Sequence, residues 1–187
     1  ILIATYFRSR EAISASLIWQ FVLLMQLFEG ITWIGKKKNN PKLEEAGAKG
    51  AYVANILQPV VAFLVIAFVT KQPGWYAGLL APLIVGYLAY ILSLQKVEVQ
   101  VEKEQGCKHL VYQWWDTIKP HTYIALLVLV LLLAAPSKFF VPQLGFVLLT
   151  LLVAGVTQLK CGIASTWCFL AAGAPLFTLA QLKFARR

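Results

Sequence analysis

Long apolar runs alternate with short polar breaks along the chain, and the runs recur at about the ~20-residue length an α-helix needs to cross ~30 Å of hydrocarbon. The strand-like alternation of an outer-membrane barrel is missing. The pattern predicts an all-α, polytopic transmembrane helical bundle, a single domain over residues 1–187. Six complete spans are expected at about 13–35, 51–70, 75–94, 121–135, 143–158 and 162–182. Ile1 to Phe7 is apolar but too short to span, and reads as the remnant of a preceding helix.

Local signals punctuate these runs. Gly35 and Lys36-Lys37-Lys38 suit a helix C-terminus, Asn39-Asn40-Pro41 makes a turn, and 42–49 is a short polar connection. Pro59 can kink the second span. Gly74, Gly78, Pro82 and Gly86 recur at four-residue intervals on the third, a small-residue stripe suited to helix packing. The segment 95–119 is a polar interfacial connection whose Tyr112, Trp114 and Trp115 are expected at head-group level. Pro120 sits where a helix can start. Leu126 to Leu133 is wholly aliphatic and is expected to face lipid.

Composition narrows the class. Of 187 residues, 59% are hydrophobic and only 13% charged, against roughly 25% charged in soluble domains; mean hydropathy is +0.71. These values imply an integral, multi-pass membrane protein and leave the organelle open. The net charge of +9 lies mostly in the connections, which fits contact with anionic head groups. Nucleic acid would call for a basic face on a folded soluble module. Seven Lys and Arg fall on the side holding the C-terminus and ten on the other, a small bias that places the second side toward the cytoplasm or its equivalent.

Polar residues inside apolar runs mark the candidate site. Trp19 to Gly35 carries Gln20, Gln26 and Glu29, and an ionisable side chain within a membrane segment is a functional-site hypothesis by default. Gln26, Glu29 and Trp33 share one helical face by their spacing. Asn55 and Gln58 are the expected hydrogen-bonding partners, and His121, Ser165 and Cys168 fall in the same half of the bilayer, with His109 at its surface. The set suggests a polar vestibule centred on Glu29. Ordinary inter-helix hydrogen bonding, worth about 0.6–2 kcal/mol, accounts equally well for Gln26, Asn55 and Gln58.

Catalytic patterns are not found. Two histidines twelve residues apart, with no HExxH or CxxC, do not make a metal site. Ser165, Cys168 and His109 lack the context of a nucleophile and its base, and phosphate-binding loops are absent. No cofactor is called for, and a bound lipid or pigment is compatible with the helices. Gln58-Pro59 and Pro142-Gln143 invite comparison with the proline–glutamine motif of small-solute carriers, but the first is reversed and the second stands at a helix entrance.

Several short patterns occur in order: Tyr6-Phe7, Met25-Gln26-Leu27-Phe28-Glu29, Asn55-Ile56-Leu57-Gln58-Pro59, Gly106 to Leu110 with Trp114, and Ser165-Thr166-Trp167-Cys168-Phe169. Together they resemble an uncharacterised family of multi-pass membrane proteins, a domain of unknown function met in algae, other protists and large DNA viruses. The resemblance implies a seven-helix parent whose first helix carries a Cys-Trp-Ser motif not present here. Family members place the acid before the glutamine, whereas here Gln26 precedes Glu29, one turn away. The expectation from all of this is a non-catalytic accessory or scaffolding subunit of a larger membrane complex, with other membrane subunits as partners. The alternatives are a small-solute or proton-coupled transporter built around Glu29 and, behind it, a lipid-modifying enzyme using His109 and Glu29.

Overall fold

In the computed structural model, the residues described are 9–94, 101–102, 110–134, 140–157, 170–171 and 173–184. Ser9 caps the first helix, its hydroxyl accepting from the Ala12 N–H at 3.3 Å, and α1 runs Arg10–Lys37 with Lys36 and Lys37 in its last turn. Asn39 then takes a left-handed φ of 50°, a conformation asparagine tolerates better than most residues. Asn40 caps the next helix by accepting from Leu43 N–H at 3.2 Å. With Pro41 in its first turn, α2 runs Pro41–Ile56. The segment 42–49, expected as a connection, is therefore helical: a capped start followed by good helix formers outweighs its polarity.

α1 and α2 form an antiparallel hairpin that is the most extensively packed helix pair. Glycine makes the approach possible. A Cβ on Gly47 would lie 2.5 Å from Thr32 Oγ1, 2.6 Å from Thr32 N and 2.9 Å from the Phe28 carbonyl. One on Gly35 would lie 2.5 Å from Glu44 N, and Gly50 lies under the Phe28 ring. Ala48, Ala51 and Ala54 complete this small-residue seam, each at most 3% exposed. Small side chains let helix backbones come close enough for dense van der Waals contact.

At Leu57 the chain breaks, and α3 (Gln58–Val69) departs from α2 by 47°. Pro59 brings no N–H to the preceding turn, which is the usual cause of such a kink. Lys71, with a φ of 53°, and Pro73 turn the chain into α4 (Gly74–Ser93). A two-residue antiparallel pairing follows, Val101 opposite Tyr112 and Glu102 opposite Val111, between β1 (Val101–Glu102) and β2 (Val111–Tyr112). Next come a single turn, α5 (Trp114–Thr117), then α6 (Pro120–Ala134), α7 (Phe140–Thr157) and α8 (Ala174–Phe184). Apart from the short pairing, the described chain is all helical.

α3 packs between α1 and α6; α4 rests on α3 and α6, α7 on α6, and α8 on α1. The stretch Leu126 to Leu133, expected to face lipid, divides into two faces: Leu126, Leu127, Val130 and Leu131 of α6 are buried where it packs on α3 and α7, while Leu132 is 51% exposed. Trp114 is fully buried, edge-on to Tyr52 of α2 with ring centroids 5.7 Å apart.

The six expected spans are also revised. Arg10–Lys37 and Gly74–Ser93 are each long and apolar enough to cross a membrane, and Pro41–Ile56 with Gln58–Val69 qualifies as one bent span. Among the described residues this gives two candidate spans, or three with the bent pair. His121–Ala134 and Phe140–Val156 are apolar but shorter. The break at Leu57 divides what a continuous apolar run suggested. The remnant expected at 1–7 lies outside the described residues, as do 162–169 of the span expected at 162–182, whose second half is the 11-residue α8.

Candidate functional site at a helix break

The hairpin register fixes the depth of each polar group. Gly35 faces Glu44, Gly47 faces Thr32, and Gly50 faces Phe28, so Glu29 lies level with Lys49 and Gly50. Lys49 is largely exposed and pairs with Glu45 at 2.6 Å. Glu29 is therefore at the level where the second helix still carries charge, not in the depth of an apolar slab. Glu29 is 7% exposed, and its carboxylate accepts from Gln26 Nε2 at 3.5 Å, a long contact. Trp33, on the same face, is half-buried.

Asn55 and Gln58 sit elsewhere. Carried along the hairpin, the same register sets Asn55 opposite Leu23 and Leu24, about 8 Å beyond Glu29 at ~1.5 Å per residue, in the middle of the apolar stretch 13–35. Each of the two side chains is 1% exposed. Neither donates to Glu29, because Asn55 Nδ2 and Gln58 Nε2 have no hydrogen-bond partner among the described residues. Gln26 and Glu29 thus form one pair, and Asn55 and Gln58 a second at the break, about 8 Å further along the hairpin.

Two tyrosines converge on that break. Tyr87 of α4 donates its hydroxyl to the carbonyl of Ile56, the last residue of α2, at 3.0 Å. Tyr123 of α6 donates to Gln58 Oε1, the first side chain of α3. The Tyr87 phenol thus satisfies a backbone carbonyl at the break, while the Tyr123 phenol holds the Gln58 side chain on the other side of Leu57.

The remaining expected residues are dispersed. His121 is exposed at the start of α6. His109, Ser165 and Cys168 lie outside the described residues. Gly74, Gly78, Pro82 and Gly86 are exposed on α4, and a Cβ on any of the three glycines would meet nothing within 4 Å; the close packing inside this fold belongs to Gly35, Gly47 and Gly50. Among the described residues no three His, Cys, Asp or Glu side chains lie together in a way that could hold a metal ion.

A second buried polar group centres on Gln143, which the sequence offers only as part of Pro142-Gln143 at a helix entrance. Gln143, 1% exposed, accepts from Trp19 Nε1 at 2.8 Å and donates to Gln181 Oε1 at 2.7 Å and Thr178 Oγ1 at 3.3 Å. It joins α1, α7 and α8. The available signal was an indole and an amide placed in otherwise apolar helices, each of which needs a partner when buried.

Compared with known protein-family models, curated proteins and solved structures, the chain matches none.

Proposed function

We propose that this chain is a multi-pass integral membrane protein acting as a non-catalytic accessory or scaffolding subunit of a larger membrane complex. One observation carries the reading. The fold already uses glycines to bring α1 and α2 together, and a second set, Gly74, Gly78 and Gly86, stands at helical spacing on α4 with open space in front of it. Trp75, Leu79, Leu83 and Val85 on the same helix are exposed. A groove between α4 and α6, with Gly86 and Ala125 among its lining, opens nearby. Such a surface suits close approach by a helix of another subunit, while the basic connections suit anionic head groups. Membership of the uncharacterised multi-pass family is part of this proposal.

The test is purification in mild detergent followed by native mass analysis. A defined larger complex is expected, lost in Gly78→Leu while the chain stays folded. A wild-type chain that runs alone overturns the reading.

A second reading, a small-solute carrier, is favoured by the polar break in the bent α2–α3 pair, since transporter sites often use discontinuous helices near the bilayer midplane. Proteoliposome uptake abolished by Gln58→Leu would support it; uptake at the level of empty vesicles would exclude it.

A further inference from the structure

Four polar groups meet at the α2–α3 break, and their donors and acceptors do not balance. The Tyr87 hydroxyl proton is given to the Ile56 carbonyl and the Tyr123 hydroxyl proton to Gln58 Oε1. The Asn55 Nδ2 and Gln58 Nε2 amide protons are given to nothing among the described residues, although both side chains are 99% buried. An unmade hydrogen bond on a buried amide is expensive, and two such donors stand three residues apart on opposite sides of one kink. Native interiors resolve an excess of this kind with a bound acceptor.

We infer that the break is a binding site for one neutral oxygen acceptor, held between Asn55 Nδ2 and Gln58 Nε2. Charge decides the class. Beyond Lys49, α2 has no charged residue; α3 and α4 have none, and α6 has only His121 at its outer end. α1 contributes the Glu29 carboxylate about 8 Å away by helical rise, which opposes an anion. Burying an anion on two amides without a counter-charge is unfavourable, and N–H donors repel a cation. A water molecule and the carbonyl oxygen of a small amide share the required chemistry. Close packing limits the ligand to this size: Ile56, Pro59, Val60 and Ala54 around the break are all buried. The site stands whether or not the chain moves a solute across a membrane.

The experiment is NMR of the wild-type, 15N-labelled chain in micelles, with the Asn55 and Gln58 side-chain amides identified by the loss of their signals in Asn55→Leu and Gln58→Leu. Cross-relaxation between both amides and water assigns the acceptor as water. Shifts of both amides on titration with acetamide assign it as a small solute. Neither response overturns the site. Thermal unfolding gives an independent check. If the donors are truly orphaned, Asn55→Leu is neutral or stabilising, because it removes an unmet donor. With an acceptor bound, Asn55→Leu lowers the midpoint by about 2–4 °C, the shift expected for ~1 kcal/mol in a chain of this size.

Discussion

Trp19 and Gln143, 124 residues apart in sequence, meet through a buried 2.8 Å hydrogen bond. It is a polar link between the first helix and the C-terminal half. Gln143→Leu strands the Trp19 indole N–H and removes the donor to Gln181 and Thr178. The expected loss is about 1–3 kcal/mol of unfolding free energy. Removing both partners in Trp19→Phe with Gln143→Leu is expected to cost less than the sum of the single changes, as a double-mutant cycle followed by circular dichroism would show.

Gly47 and Gly78 should respond in opposite ways to enlargement. Gly47 faces backbone atoms of α1 that cannot rotate aside, so Gly47→Ala is expected to destabilise by about 1–3 kcal/mol through overpacking. Gly78 faces open space, and Gly78→Ala should leave the stability of the isolated chain within about 0.5 kcal/mol of wild type or raise it, alanine being the better helix former. Thermal unfolding of the two variants in the same detergent separates them.

Tyr87→Phe removes the phenol that caps the Ile56 carbonyl. The expected change is about 0.5–1.5 kcal/mol, concentrated at the break, so amide exchange at Leu57, Val60 and Val61 should quicken while exchange in the α1 half of the hairpin does not. Uniform acceleration over the whole chain would instead mean that Tyr87 supports global packing.

Glu29 is level with charged Lys49, so Glu29→Gln is expected to change stability by less than about 1 kcal/mol, whereas a carboxylate deep in hydrocarbon would give a large gain on neutralisation. The Lys36–Glu44 pair at 2.7 Å, partly exposed, should contribute about 1 kcal/mol or less, and its contribution should fall with added salt. Unfolding of Lys36→Ala at low and high ionic strength measures this.

Apolar run length made the helical class legible, and Pro120 was readable as a helix start, whereas Asn40 read as part of a turn and proved to be a helix cap. Helix environment was not. The run Leu126 to Leu133 has the same composition whether a neighbour or lipid covers it, so only its position between α3 and α7 settles its burial. Gln26, Glu29, Asn55 and Gln58 were recognisable as polar residues within apolar runs. Their grouping depended on the antiparallel offset set by Gly35, Gly47 and Gly50, a three-dimensional register with no trace in linear spacing. The small-residue stripe on α4 was visible as a pattern, but the seam used inside the fold lay in a segment whose lysines and glutamates made it read as a connection.

Helix lengths carry a last consequence. Of the two candidate spans, α1, at 28 residues, is about 42 Å long, while α4, at 20, is about 30 Å. A bilayer hosting both cannot match both. It must thin beside the short helix or tilt the long one, at fractions of a kcal/mol per Å of mismatch. Helices this unequal would give the protein its own preference for membrane thickness, and with it a means of being sorted among membranes by their lipids alone.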